Sequence, residues 1–131
     1  MPISRVMFAL GVLLAVSAPA SSQSDGYWVP DAMTVEHIEQ TLRQMAPPKL
    51  FNWQATALDT YGRYYTGVTT DGRKVIFGVF LSMDANRYPR GVHIVPFDRQ
   101  PHMTGGLCAQ LTVWYDVAEQ RVRQFICYGL G

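Results

Sequence analysis

The sequence predicts an α+β domain over residues 34–131, in which one N-terminal helix packs on an antiparallel meander of four to five strands. Three observations predict this class: a helical stripe of apolar residues over 35–45, an Asp-Gly turn at 71–72 between two strand-forming runs, and a C-terminal hairpin that contains both cysteines. The stripe needs a partner surface, and the chain that follows it offers only strands. We therefore expect the helix to lie across one face of the sheet.

The predicted helix spans 34–45 and is recognised by apolar residues at spacings of three, four and three: Val35, Ile38, Leu42 and Met45. Either Asp31 or Thr34 can cap its first turn, because both side chains accept hydrogen bonds from free amides. The proline pair at 47–48 ends the helix, since proline has no amide hydrogen to donate. The glutamates of this helix are expected on its solvent-facing side: Glu36 and Glu39.

The clearest local signal is the Asp-Gly dipeptide at 71–72, which favours a two-residue type I′ turn between strands. This turn sets the register of the first hairpin and places Val68 opposite Val75. Each strand glycine then lies opposite a large side chain, which covers the backbone that glycine exposes. Before the hairpin, alternating apolar and polar residues over 50–58 predict another strand.

Two shorter segments are predicted at the borders of the sheet. Residues 27–30 (YWVP) form either a short edge strand or an arm packed on the body of the domain. They belong to the segment 21–33, which we predict as a flexible or arm-like start of the mature chain. Residues 92–95 form a short strand, and Pro96 confines it to an edge or a terminal position.

The first twenty residues have the pattern of a cleavable secretory signal. Arg5 supplies a positive start, Val6 to Val16 is an apolar run of eleven residues, and small residues follow at 17–20. Such a run is too short to cross a bilayer core of about 30 Å as a helix. We therefore predict a signal peptide over 1–20 and a secreted or periplasmic mature chain of 111 residues, with no lipid-attachment cysteine in the signal region.

The second hairpin spans 107–128 and contains both cysteines. An even number of cysteines in an exported chain indicates a disulfide, here Cys108–Cys127. We expect the two cysteines to face each other directly across the strands. This register places two arginines beside residues of the neighbouring strand on the outer face: Trp114 with Arg121, and Thr112 with Arg123.

Composition excludes several classes of partner. The mature chain carries ten basic and ten acidic side chains, so we expect no nucleic acid, which needs clustered cations. No later apolar run reaches the length of a membrane span, and we expect no membrane contact after signal cleavage. We predict no metal, because no metal-ligand spacing joins the histidines His37, His93 and His102. We also predict no cofactor and no catalytic residues, and the balance favours a protein that is not an enzyme.

Surface recognition remains, and two groups of residues are candidates for it. The first lies in the loop 87–90, where arginine and tyrosine are types enriched at binding hot spots and proline lowers the ordering cost: Arg87, Tyr88 and Arg90. The second lies on the outer face of the C-terminal hairpin: Trp114, Arg121 and Arg123. Six cations against three acids lie between positions 63 and 99, so we expect a protein partner with an acidic surface. The plainer alternatives are a solvated loop and a cation–π pair that covers the sheet.

The order of elements resembles that of cystatin-like and nuclear-transport-factor-like folds, in which one helix packs on a curved antiparallel sheet. Cystatins carry a Q-x-V-x-G hairpin loop, whereas the hairpin tip here reads VTTDG at 68–72, so no residue role is transferred. We expect a non-enzymatic protein-binding module, of the inhibitor or immunity kind. Two alternatives stay open. One is a ligand-binding or weakly catalytic pocket between helix and sheet, with His93 as its acid–base group. The other is a structural component of an envelope or secretion assembly that docks through an arm around Trp28.

Overall fold

The computed structural model describes residues 26–45, 55–101 and 107–127, and the predicted signal peptide over 1–20 lies outside these ranges. Within them, one helix and six strands form an α+β unit, which confirms the predicted class. In chain order the elements are β1 (Gly26–Trp28), α1 (Ala32–Gln44), β2 (Gly62–Thr70), β3 (Arg73–Leu81), β4 (Gly91–Ile94), β5 (Gln110–Asp116) and β6 (Arg121–Cys127). No helix in the described part of the chain has the length and apolarity of a membrane span.

Helix α1 begins two residues earlier than predicted and is capped by Asp31. The Oδ1 atom of Asp31 accepts a hydrogen bond from the amide of Thr34 at 2.8 Å, and this bond lowers the pKa of the Asp31 carboxyl. The predicted stripe is confirmed, because Val35, Ile38 and Leu42 are fully buried against the sheet. Helix α1 therefore covers one face of the sheet, which we call the helix face, and the opposite side is the outer face.

The predicted antiparallel meander of four to five strands is wrong, because the described sheet has six strands and one of them pairs in parallel. Their order is β1-β2-β3-β5-β6, and β4 also pairs with β2, in parallel, on the edge that β2 shares with β1. After β3 the chain therefore passes to the far edge of β2 before it returns beside β3 as β5. Strand β1 pairs only with 67–69, so the first half of the β2 edge would lack partners without β4. The segment 27–30 was predicted as either an edge strand or a packed arm, and its first residues belong to the edge strand β1.

The first hairpin has the predicted register. Val68 pairs with Val75, and both turn residues have positive φ, 51° at Asp71 and 72° at Gly72, as a type I′ turn requires. Gly67 is covered by the ring of Trp28, and a Cβ atom at this position would lie 2.4 Å from that side chain. Glycine is thus what permits β1 to close over β2.

The second hairpin has the predicted disulfide in a different register. The bond joins Cys108 to Cys127 with their Cα atoms 4.6 Å apart, but Cys127 pairs with Leu111 in the ladder. The predicted face-to-face pairing of the cysteines is wrong, because Cys108 lies in a 3₁₀ turn (Leu107–Ala109) before β5 begins. A bulge in β6 then leaves Arg123 without an opposite residue.

The strand predicted over 50–58 is wrong for residues 55–58, the part of it that the structure describes. Its first part lies outside the described residues, and Ala55–Thr60 forms a 3₁₀ helix. Alanine and aspartate are poor strand formers, and the strict alternation stops at Ala55. The turn serves to bury Leu58, which is fully inaccessible, and it ends with the amide of Tyr61 bonded to the Leu58 carbonyl oxygen (3.1 Å).

The outer face is covered near β2 by the segment that follows β4. The hydroxyl of Thr66, a fully buried residue, donates to the carbonyl oxygen of Val95 at 2.5 Å. The ring of Phe97 stacks on that of Tyr27 with centroids 4.0 Å apart. The sheet is therefore buried by α1 on one face and by this segment on part of the other.

Candidate functional site

The first predicted group of binding residues lies in the connection from β3 to β4, whose backbone is held at both ends. Asp84 adopts a left-handed conformation (φ 50°), and its carbonyl oxygen accepts hydrogen bonds from the amides of Arg87 (3.0 Å) and Tyr88 (2.8 Å). At the far end Gly91 has a φ of 106°, which side-chain-bearing residues rarely adopt. We call residues 84–90 the arginine loop.

The arginine loop packs on the outer face through an aromatic stack. Tyr88 meets Tyr64 edge-on with ring centroids 6.3 Å apart, and His93 stacks on Tyr64 at 4.7 Å. The Nε2 atom of His93 donates to the carbonyl oxygen of Pro89 at 2.7 Å. A Cβ atom at Gly62 would lie 2.6 Å from the same oxygen, so this close approach requires glycine. These contacts fix the loop against the start of β2.

The two described histidines lie apart, His37 on α1 and His93 on the outer face of the sheet. Sequence reasoning placed His93 in a pocket between helix and sheet, which is wrong, because His93 pairs with Tyr64 on the outer face. His37 lies on the exposed side of α1, with its ring 6.3 Å from that of Tyr115. His102 lies outside the described residues. Among the residues that the structure describes, no three His, Cys, Asp or Glu side chains converge as metal ligands.

The arginine loop presents two uncompensated positive charges. Arg87 and Arg90 are exposed and have no carboxylate partner within 26–45, 55–101 or 107–127, and the Arg87 guanidinium lies 5.4 Å from the centre of the Tyr88 ring. Four other arginines do pair with carboxylates: Arg43, Arg63, Arg73 and Arg123. An anionic group that approaches the arginine loop therefore displaces no ion pair among the described residues.

The second predicted group is not brought together in the way expected. Trp114 pairs with Gln124 rather than with Arg121, and its ring packs on Phe77 with centroids 4.5 Å apart. Thr112 likewise pairs with Ile126 rather than with Arg123. Both pairing predictions fail because the register is shifted, and only Arg121 of the two arginines keeps a solvated side chain without a carboxylate partner among the described residues.

Arg123 belongs instead to an ion-pair network at the turn between β5 and β6. Its Nη2 atom lies 2.6 Å from Glu119 and 3.7 Å from Asp116, and Arg73 contacts the same two acids at 3.0 and 3.1 Å. The pKa of Asp116 is lowered, first by a hydrogen bond from the amide of Glu119 (2.9 Å) and then by the two arginines. The two arginines and the two acids stabilise the turn. Because their charges cancel, this cluster offers little net charge to a partner.

Sequence reasoning missed a buried polar network under α1. Glu39 was expected in solvent, but its residue exposure is only 7 %, and both carboxylate oxygens accept from Nε of Arg63, at 2.8 and 3.0 Å. The hydroxyl of Tyr65 donates to Glu39 Oε2 at 2.5 Å. One signal was available: the first-hairpin register already placed Arg63 on the same face as the core residue Phe80. A buried arginine needs a nearby carboxylate to neutralise its charge, and α1 is the element that packs on the face of the sheet where Arg63 lies.

The Nη1 atom of Arg63 donates to the turn before β2, at the carbonyl oxygens of Leu58 (2.6 Å) and Tyr61 (3.2 Å). One guanidinium therefore joins α1, the 3₁₀ turn and β2. Burial raises the pKa of Tyr65 well above its ordinary value, and the negative charge of Glu39 raises it further. This network positions the helix on the sheet and engages both oxygens of the acid.

Tyr65 is expected to make stability depend on alkaline pH. Its folded-state pKa is raised above the unfolded value of about 10, so its contribution is complete below that pH and is lost as the pH rises through the folded pKa. Tyr65→Phe should be less stable by about 1 kcal/mol at pH 7, because one hydrogen bond is lost. Urea unfolding between pH 8 and 11.5 should show this gap closing, and a gap that stays constant with pH would contradict the linkage.

A cleft of about 400 Å³ lies between α1 and β4, beside this network. Its walls are mainly apolar and include Val35 on α1 with Val92 and Ile94 on β4. Glu39 also lines it, but its oxygens are already bonded to Arg63 and Tyr65. A pocket between helix and sheet thus exists and is also lined by Glu36, but His93, its expected acid–base group, lies on the outer face.

No family model, curated protein or solved structure matches this chain. The cystatin-like arrangement therefore stays a prediction from the order of elements. The described residues offer two candidate sites, the arginine loop and the cleft beside β4.

Proposed function

We propose that this chain is a secreted or periplasmic, non-enzymatic protein-binding module, of the inhibitor or immunity kind, that engages an acidic protein surface through the arginine loop. One observation carries the proposal. Arg87 and Arg90 project from a backbone held at both ends, and no described carboxylate neutralises them.

The physical argument is one of preorganisation. Binding loses affinity when loops and side chains must be ordered, and a loop already fixed by Asp84, Gly62 and Gly91 avoids much of that loss. Tyr88 contributes a ring held on Tyr64, and tyrosine and arginine are types that dominate binding hot spots. The cations add electrostatic steering toward an acidic partner.

The expected compartment follows from the disulfide. The Cys108–Cys127 bond fits a protein that works in an oxidising environment, outside the reducing cytosol. Export through the predicted signal over 1–20 belongs to the proposal. The order of elements, a helix before an antiparallel sheet, also resembles that of cystatin-like folds.

The structural-component alternative keeps one supporting observation. Strand β1 is paired with β2, yet the side chain of Tyr27 is 62 % exposed and that of Val29 70 %. These residues offer an apolar contact at the start of the domain. We prefer the arginine loop, because it combines uncompensated charge with an aromatic anchor.

Charge reversal in the arginine loop should abolish capture of the partner. With mature protein immobilised and exposed to envelope and extracellular extract, R87E/R90E should lower the yield of a specifically captured protein by about 30-fold, the effect of a 2 kcal/mol hot spot. Capture by the unaltered protein should also fall as salt is raised from 50 to 500 mM, since exposed charges are screened.

A matched control separates the loop from net charge. K74E/R99E makes the same charge change at two exposed cationic side chains that belong to neither candidate group, and neither has a described carboxylate partner. It should leave the yield within about twofold, in line with the small effects of scattered surface charges. Equal losses in both variants would contradict a specific role of the arginine loop.

A further inference from the structure

Within the described ranges, β4 has one paired edge and one edge without a strand partner, which we call the open edge. The amides of Gly91 and Val95 donate to β2, at the carbonyl oxygens of Tyr61 (3.3 Å) and Tyr65 (3.0 Å). Backbone groups of successive strand residues point to opposite edges, so those of Val92 and Ile94 point away from β2. Within the described ranges β4 pairs with no other strand, and these two residues offer two amides and two carbonyls.

The cleft lies where the next strand would place its side chains. Val92 and Ile94 pair with Arg63 and Tyr65, so their side chains lie on the helix face, and both line the cleft against α1. Val92 is 44 % exposed, large for an apolar residue on that face. A strand added beside β4 alternates its side chains, and every second one would enter the cleft.

Charge marks one end of this open edge. Arg90 immediately precedes Gly91, which is the first residue of β4. Arg87 lies three residues before Arg90. Neither arginine has a carboxylate partner among the described residues. An acidic residue at the corresponding end of an added strand would meet these cations, whereas a basic one would be repelled.

We propose that β4 recruits an extended peptide segment of the partner protein as an additional strand, with an apolar side chain in the α1–β4 cleft and an acidic residue at Arg87 and Arg90. This inference rests on the proposed function and names the kind of partner segment. Main-chain hydrogen bonds to Val92 and Ile94 supply affinity, and the cleft and the arginines select the sequence. The unpaired edge of β4 would then serve for binding, whereas most proteins protect exposed strand edges from pairing with other chains.

The test uses uniformly ¹⁵N-labelled mature protein and three synthetic peptides. Two peptides carry acidic residues, at the N-terminus in acetyl-Asp-Glu-Thr-Val-Thr-Val-Thr-amide and at the C-terminus in acetyl-Thr-Val-Thr-Val-Thr-Glu-Asp-amide. They therefore test an added strand that runs in either direction along β4. In the third peptide two lysines replace the two acids of the first. At ten times its Kd, one acidic peptide should slow hydrogen exchange at the Val92 and Ile94 amides about tenfold. The His93 amide, which points to β2, should not change, and the lysine peptide should bind at least about tenfold more weakly.

Two variants at one position test the backbone contact. V92P removes an amide hydrogen that the sheet does not use and should weaken peptide binding about tenfold, the effect of a lost hydrogen bond. V92A keeps the amide and should stay within about threefold of the unaltered protein. The exchange measurement on unaltered protein stands independently of whether V92P folds.

The outcomes separate this inference from the proposed function. Peptide binding without slower exchange at Val92 and Ile94, or no binding at millimolar peptide, overturns strand addition. Slower exchange in peptide-free samples that grows with protein concentration also overturns it, since a second copy would then be the occupant. If V92P still captures the protein partner that R87E/R90E loses, strand addition fails while the arginine loop keeps its role.

Discussion

Arg63→Met is expected to lower the free energy of unfolding by about 3–5 kcal/mol, the effect of removing one partner of a buried ion pair. Among the contacts of the described residues, Glu39 would keep the hydrogen bond from the Tyr65 hydroxyl and would lose the guanidinium that neutralises it. The carbonyl oxygens of Leu58 and Tyr61 would lose donors as well. Urea unfolding of the full mature chain at pH 7, followed by circular dichroism, measures the loss.

Two further variants test whether the loss comes from the unpaired charge. E39L/R63M removes both charges and should recover part of the stability, because an apolar pair of similar volume is often neutral or stabilising. R43M removes the arginine that pairs with Asp59 at the surface, where both side chains are partly solvated, and should change stability by less than about 1 kcal/mol. An R63M variant no less stable than R43M would contradict a buried pair.

Removing the disulfide is expected to lower the free energy of unfolding by about 3 kcal/mol, the chain-entropy value for a loop of this length. The loop is closed between Cys108 and Cys127, which are 19 residues apart. The variant C108S/C127A suits the two environments, because Cys127 is buried and Cys108 is only half-buried. The midpoint of urea unfolding should fall with little change in its slope.

Reduction of the unaltered protein provides the control. Unfolding in dithiothreitol should give the same free energy as C108S/C127A within about 0.5 kcal/mol, and C108S/C127A itself should not respond to the reductant. A loss below 1 kcal/mol in both would mean that β6 and the Leu107–Ala109 turn are held by packing instead. The hydrogen bond from the Tyr61 hydroxyl to the carbonyl oxygen of Cys108 (2.7 Å) is a contact that such packing would use.

The parts of the fold predicted from sequence are those set by local chemistry. The Asp71-Gly72 turn fixes the β2–β3 register by itself, because its positive φ angles suit one kind of hairpin. The apolar stripe of α1 and its cap at Asp31 are likewise local patterns. The chain between residues 82 and 107 offers no such pattern, and the parallel pairing of β4 depends on which edge of β2 is left open.

The second hairpin shows why a disulfide does not fix a register. Two cysteines can bond when one lies outside the ladder, as Cys108 does, and their bond then says little about which residues pair. Hydrophobicity gave no warning, because Phe125, Ile126 and Cys127 follow one another and β6 has apolar residues on both faces. The predicted neighbours of Trp114 were lost with that register.

The residue types of the 87–90 loop predicted a binding surface, and that role stays a prediction. The structure shows the loop arginines exposed and Tyr88 packed on Tyr64, a contact that the sequence did not predict. The cleft beside β4 was not predicted in its present form, since it arises where α1 from one part of the chain meets a strand from another. The Glu39–Arg63 pair had the same non-local origin, although Glu39 follows Val35 by four residues and precedes Leu42 by three, which places it at the edge of the apolar stripe.

The covering of Gly67 by Trp28 has a consequence for the order in which the chain folds. Strand β1 is made first during synthesis, but its only partner in the described sheet is the end of β2, at residues 67–69. The β2–β3 hairpin needs contacts only among near neighbours in sequence, whereas β1 must wait for distant ones. We therefore expect assembly to start in the middle of the chain, and the indole of Trp28 to close over the Gly67 backbone only after that hairpin has formed.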